Sequence, residues 1–294
     1  MRKYIVSLWL VLVNVDAIAI AGGQKSTTLE AVRAYVLSYY QDLPDYTCVQ
    51  ETQRSLRREF KPTDLISSGN VRVPPVHDHI LGEIEEELSF VGGKETYKVT
   101  RVDGVRAADT RHDGIGGTIS SGEYGSALHH IFDPDTGTSF QSATRTKLQG
   151  RMMNVFTFSV PQSKGYAIYD GELKREFLLA YEGSVYADAE TNAVMRITLK
   201  CLGFPSETRL TAAELTLDYK PTELSNRKFI LPSHFTLDWR KRRDETTRLI
   251  QYAEGETNTG DFKRYHRFKV DSRIEFPDKE NGVSEHSGNG QAKK

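Results

Sequence analysis

The chain has 294 residues, 38% of them hydrophobic and 27% charged, with a formal net charge of −1. A chain of this length buries a substantial core, and one large β-rich domain of this size is ordinary. The near-neutral balance leaves no global field to recruit nucleic acid or an anionic surface.

The N-terminus has the form of an export signal. Arg2 and Lys3 precede the apolar run Tyr4–Val15, and Ala19-Ile20-Ala21 supplies a small-x-small cleavage site. The mature chain is therefore expected to begin at Gly22, with residues 1–21 removed. The alternative is an uncleaved membrane anchor, but the run is short for a bilayer and Asn14 and Asp16 interrupt it. A periplasmic or secreted protein follows, with no transmembrane segment in the mature chain. Cys48 and Cys201 are the only cysteines. In an oxidising compartment this even pair predicts one disulfide closing a long loop, against the alternative of two separate buried thiols.

A capping box, Thr27-x-x-Glu30, opens a predicted helix with Leu29, Val32, Val36, Tyr39 or Tyr40 and Leu43 at helical spacing, and Pro44 ends it. Tyr46–Arg54 reads as a first strand. Lys61–His79, with Pro62, Pro74 and Pro75, reads as a loop. Strands Glu83–Phe90 and Glu95–Val102 flank Gly92-Gly93, and a second loop covers Arg106–Gly122. A second capping box, Ser120-x-x-Glu123, opens a short helix over Gly122–Phe132 with Tyr124, Leu128, Ile131 and Phe132 on one face. Asp133-Pro134 stops it.

The remainder reads as a β-meander. Ser139–Leu148 and Arg151–Val160 flank Gln149-Gly150, and Leu173–Tyr181 leads into a hairpin over Tyr181–Cys201. Its return strand alternates, with Ala193, Met195, Ile197, Leu199 and Cys201 assigned to one face and Val194, Arg196, Thr198 and Lys200 to the other. Three later segments continue the pattern: Thr211–Tyr219, Phe229–Trp239 and Phe262–Phe276, the last with Phe262, Phe268, Val270, Ile274 and Phe276 on one side. The tail after Pro277 is expected to be disordered. Short strands without intervening helices predict an antiparallel sheet or open barrel, not βαβ units.

The run GSVYADAETNAVMRITLKC, residues 183–201, resembles the G-x-(apolar)-x-(apolar)-D-x-x-T hairpin, followed by an apolar residue and Arg, of LolA-like periplasmic proteins. That superfamily includes outer-membrane lipoprotein carriers and related lipid-binding exported proteins. The resemblance implies an incomplete barrel, lidded by helices over an apolar cavity that receives acyl chains.

These readings define the expected fold class as α+β. One domain over residues 22–276 would hold a large curved antiparallel sheet, an open or incomplete barrel. An N-terminal helix and a short inserted helix would pack on one face. Its apolar face, with Phe156, Phe158, Met195, Ile197, Leu199, Leu215, Leu217 and Phe235, is expected to line a pocket lidded by Leu128 and Phe132. The leading function is binding of a lipid, acyl chain or lipoprotein in the cell envelope. The alternative is a non-catalytic module binding an envelope protein, and an enzyme using His-bearing loops comes third. No cofactor or metal is expected. DGIGG lacks a P-loop's Lys-Ser/Thr, and no G-x-S-x-G elbow is present. His77-Asp78-His79 and His112-Asp113 lack the spacing of a zinc site. Glu85 and Glu87 read as the solvent side of a strand. Arg240-Lys241-Arg242-Arg243 is assigned to a charged hairpin turn, with anionic headgroups or an acidic partner as its functional alternative.

Overall fold

The computed structural model describes residues 16–62, 77–107, 126–170, 173–242 and 250–268. The helix α1 (Asp16–Asp42) leads into β1 (Tyr46–Pro62), β2 (His77–Val91), β3 (Lys94–Val102) and the short β4 (Val105–Arg106). After α2 (Ala127–Phe132) come β5 (Ser139–Leu148), β6 (Arg151–Val160), β7 (Tyr166–Asp170), β8 (Arg175–Asp188) and β9 (Val194–Leu202). Three long strands follow: β10 (Leu210–Leu224), β11 (Arg227–Arg242) and β12 (Ile250–Arg267).

Along the sheet the order is β4-β3-β2-β1-β12-β11-β10-β9-β8-β6-β5, with β7 paired to β8. The outermost strands β4 and β5 do not meet, so the sheet is not closed into a barrel. Its centre is the pairing of the first strand with the last, β1 with β12, from Tyr46↔Arg267 to Pro62↔Ile250. Neighbours elsewhere are mostly sequential hairpins, which tight turns favour.

Val32 and Val36 of α1 are fully buried, and Leu29, Tyr35, Tyr39, Tyr40 and Leu43 pack around them on the sheet. The i, i+3, i+4 spacing delivers this stripe. The helix does not start at the capping box, however. It runs from Asp16 through Ala21 and Gly22, so Thr27 lies within it. The Ala-Ile-rich stretch ahead of Thr27 has helix-compatible residues and no proline to stop the backbone.

Other boundaries shift for similar reasons. β1 and β2 extend to Pro62 and back to His77, shortening the expected 61–79 loop from both sides. Leu173–Tyr181 and the first hairpin strand merge into the single β8. Arg240, Lys241 and Arg242 belong to β11, where they pair with Gly255, Glu254 and Ala253, and are not a turn. Arg243, Ser120–Glu123, Val270, Ile274 and Phe276 lie outside the described residues, as do residues 1–15 of the expected signal and the 277–294 tail. Phe268 follows the end of β12 and is 43% exposed, not buried.

Two glycines let the sheet coil tightly. Phe158 faces Gly183 across β6 and β8, and Phe235 faces Gly260 across β11 and β12. A Cβ on Gly183 would lie 1.8 Å from the Thr198 carbonyl oxygen, and one on Gly260 would lie 2.3 Å from the Phe235 ring. Only hydrogen fits there, and each ring covers the backbone its partner leaves bare.

Candidate functional site

The inner face of the sheet has two chemically different zones. The larger is apolar and lies beneath α1 and α2. Phe156, Phe158, Ile197, Leu199, Leu215, Leu217 and Phe235 are all buried there, together with Leu128, Ile131 and Phe132 of α2. All of the residues expected to line a pocket are therefore interior, and these are packed against one another.

Met195 is the exception in placement. Arg196 pairs with Tyr186 and Val194 with Ala187, which leaves Met195 as the extra residue of a β-bulge. A bulge reverses the alternation beyond it. Val194 consequently joins Ile197 in the main core, while Met195 packs in a small separate cluster with Met153, Val155 and Ala193.

The second zone is a polar band on β1, β2 and β12, strands that also contribute Tyr46, Cys48, Leu88, Phe90 and Phe262 to the apolar core. On β1 the inward positions run Tyr46, Cys48, Gln50, Thr52, Arg54, changing from apolar to polar midway. Glu86 on β2 faces Gln50, and Asn258 on β12 faces Arg54. Gln50, Glu86 and Asn258 are 3%, 2% and 3% exposed, and Thr52 and Arg54 are also buried. The Gln50 Nε2 donates to Thr52 Oγ1 at 3.2 Å and to Glu86 Oε2 at 3.4 Å. Its Oε1 is buried without a hydrogen-bond partner. Burying such groups costs several kcal/mol, on the order of 2–7 for an amide left unbonded, so this band is a concentrated expense at one place in the interior.

Sequence reading passed over this band. Its signal was present in TCVQETQR, which is polar at every position from Gln50 to Arg54 and cannot place every polar side chain outward. Glu85 and Glu87 stand on the outer face as expected, half-buried and exposed; Glu86 between them is the buried one.

Between the apolar zone and the helices lies a cluster of tyrosines. The Tyr39 hydroxyl donates to the Ile230 carbonyl and that of Tyr265 to the Pro232 carbonyl, both at 2.6 Å. Burial pushes the hydroxyl pKa values of Tyr39, Tyr40, Tyr46, Tyr219 and Tyr265 up. Burial likewise pushes the Cys48 thiol up to about 12, partly opposed by its hydrogen bond with Tyr265. The Tyr219 hydroxyl is buried without a hydrogen-bond partner.

Both cysteines are free and buried, so the expected Cys48–Cys201 disulfide is not formed. Cys48 lies on β1 and Cys201 on β9, with β12, β11 and β10 between them in the sheet. Each packs as a small apolar side chain in its own tyrosine surroundings, Tyr46 and Tyr265 for Cys48 and Tyr181 for Cys201.

The short α2 is fastened at both ends. Glu95 accepts from the Ser126 N–H at 3.1 Å and from the Tyr97 hydroxyl. The His130 Nε2 donates to the Lys164 carbonyl at 2.9 Å, and the His129 ring meets Tyr40 edge-on. Gly114, Gly116 and Gly117 of the DGIGG run lie outside the described residues, as do His112 and Asp113. His79 is exposed on β2, and no group of three metal-ligating side chains occurs among the described residues.

On the outer face, an ionic ladder crosses four strands. Arg101 and Arg264 reach Glu85 at 3.8 and 3.2 Å, and Arg264 and Lys263 reach Glu51 at 3.5 and 2.6 Å. Such exposed pairs contribute little, about 0–1 kcal/mol each. They edge a concavity of about 470 Å³ beside Gly260, and another of about 540 Å³ lies beside Gly183.

The fold and site together define an α+β protein with one open antiparallel sheet and a partly polar interior. No protein-family model and no curated protein matches the chain. Among solved structures, it is similar to a DUF1329 family protein from Desulfovibrio piger, with 10% identity and a TM-score of 0.37, over 82% of this chain and 93% of that one. It is also similar to MucB in complex with MucA, with 10% identity and a TM-score of 0.21, over 81% of this chain and 93% of that one. Scores this low assign neither fold nor function.

Proposed function

We propose that this chain is a non-catalytic binding protein of the cell envelope, processed after Ala21, and that its sheet interior takes an amphiphile. An acyl chain would lie among Phe156, Phe158, Ile197, Leu199, Leu215, Leu217 and Phe235 once α2 lifts Leu128 and Phe132 away. The head would meet the polar band of Gln50, Thr52, Arg54, Glu86 and Asn258. The observation that carries this reading is the contiguity of the two zones on one inner face. A polar band is costly to bury, and an amphiphile is the ligand class that matches an apolar zone ending in such a band. The LolA-like pattern over residues 183–201 supports the same class of ligand and a periplasmic or secreted address.

A second reading, a module that binds another envelope protein, is favoured by the close packing of the apolar zone. The two are separated by uptake of a fluorescent fatty acid. Amphiphile binding predicts saturable uptake that Phe132→Asp weakens roughly tenfold or more, since a charge buried in that zone opposes the chain. No uptake by the wild-type protein removes the amphiphile reading and leaves the interaction module.

A further inference from the structure

One end of the outer face joins exposed apolar side chains to a group of cations. In the β7–β8 ribbon, Ala167 faces Leu178 and Tyr169 faces Glu176. Cross-strand partners share a face, so Ala167, Tyr169, Glu176 and Leu178 point outward together, while Ile168, Phe177 and Leu179 are buried on the other side. Tyr169 is 64% exposed, and Leu173 and Leu178 are exposed at 44% and 40%. Lys174 and Arg175 stand at the same tip and are exposed.

Three contacts tie this tip to the end of β11. The Thr208 hydroxyl donates to Asp170 at 2.7 Å, Arg175 reaches Glu207 at 3.6 Å, and the Arg242 N–H donates to the Arg209 carbonyl at 2.8 Å. Arg240 and Arg242 are both exposed, on the outward positions of β11 that alternate with inward Trp239 and Lys241. Apolar ribbon and basic strand end thus share one side of the molecule. Of the nearby acids, Asp170 and Glu207 are engaged by the contacts above, and Glu176 is the opposing charge on the ribbon itself. Glu214 and Asp238, paired across β10 and β11, share the outward face with Arg240, Asp238 accepting from the Thr257 hydroxyl, and Asp244 and Glu245 follow Arg243 in the sequence.

We propose that this end docks on the surface of an anionic lipid bilayer. Tyr169, Leu173 and Leu178 would enter the interfacial region, where an amphipathic ring and aliphatic side chains are favoured. Lys174, Arg175, Arg240 and Arg242 would lie at the headgroups, where cations are attracted to a negative leaflet. The overall charge of −1 does not oppose this, because the attraction acts within about a Debye length, roughly 8–10 Å. The contact would be weak and reversible, unlike a spanning segment.

Co-sedimentation with vesicles tests it, using full-length protein and variants exported and purified identically. The wild type is expected to bind phosphatidylglycerol vesicles, to leave phosphatidylcholine vesicles in solution, and to release from the former in high salt. Arg240→Glu with Arg242→Glu should weaken binding roughly tenfold or more, given the attraction per charge near the surface. Tyr169→Ser with Leu178→Ser should weaken it while leaving the salt dependence in place. All four positions are exposed, and circular dichroism verifies that the variants fold. Failure of the wild type to bind anionic vesicles overturns the proposal, as does equal binding to neutral ones or an unchanged affinity in both variants. The outcome is independent of the amphiphile reading, which uses the inner face.

Discussion

Asp188 organises the turn between β8 and β9. Its carboxylate accepts from the Glu190 and Thr191 N–H groups and the Thr191 hydroxyl at 3.0–3.1 Å, and Arg151 Nε lies 2.6 Å away. The D-x-x-T pattern is therefore a turn device, an aspartate satisfying the donors of its own loop. Burial pushes the Asp188 carboxyl up, and these four hydrogen bonds outweigh it, leaving the group below its ordinary value. A depressed folded-state value gives stability above the unfolded value, roughly 3.9, that is lost as pH falls through the folded one. Asp188→Ala should cost about 1–3 kcal/mol, since it strands several donors. It should also flatten the acid limb of a denaturation curve, and an unchanged acid limb contradicts this role. Cys48 illustrates the opposite sign. With its thiol raised to about 12, it contributes stability that is full below the ordinary thiol value, roughly 8.5, and is lost as pH rises. The buried tyrosines add to this at higher pH. Alkaline titration should therefore show tyrosinate absorbance rising together with unfolding. Gradual ionisation in a folded protein would refute it. Thiol labelling should find both cysteines unreactive when native and both free when unfolded without reductant.

At the scale of elements, hydrophobic period gave the strands of the meander and the stripe on α1, because both are set by which residues must leave water. It failed wherever a strand departs from strict alternation. The bulge at Met195 is the clearest case: period alone puts Met195 beside Ile197, and only the pairing with Tyr186 and Ala187 reveals the extra residue. The polar band was missed for a related reason. Alternation assigns polar residues outward, yet Gln50, Thr52, Arg54 and Glu86 are on the inward register. The disulfide was misjudged because cysteine count and compartment say nothing about how many strands separate two positions. The glycine pairs yield a direct prediction. Gly183→Ala places a Cβ 1.8 Å from the Thr198 carbonyl oxygen and must displace backbone. Overpacking of this kind costs about 1–3 kcal/mol or more. Urea unfolding should show it, whereas Gly150→Ala, whose Cβ meets nothing within 4 Å, should be limited to its turn strain at φ 80. Equal midpoints for both would contradict the close approach.

Over the whole molecule, one open sheet separates an inner face that ends in a polar band from an outer face with ionic ladders and a basic, apolar-tipped end. The fold class was legible because turn residues and strand alternation agree along most of the chain. The division of the interior was not, because it depends on which strands the long β1–β12 pairing brings together. The central claim is that this interior holds an amphiphile. Native mass spectrometry of protein exported to and purified from a bacterial envelope tests it most directly. The account predicts a retained mass matching an acyl-bearing lipid, lost in Phe132→Asp while the variant remains folded. A wild-type protein that carries no such mass, and takes up no added acyl probe, would contradict it.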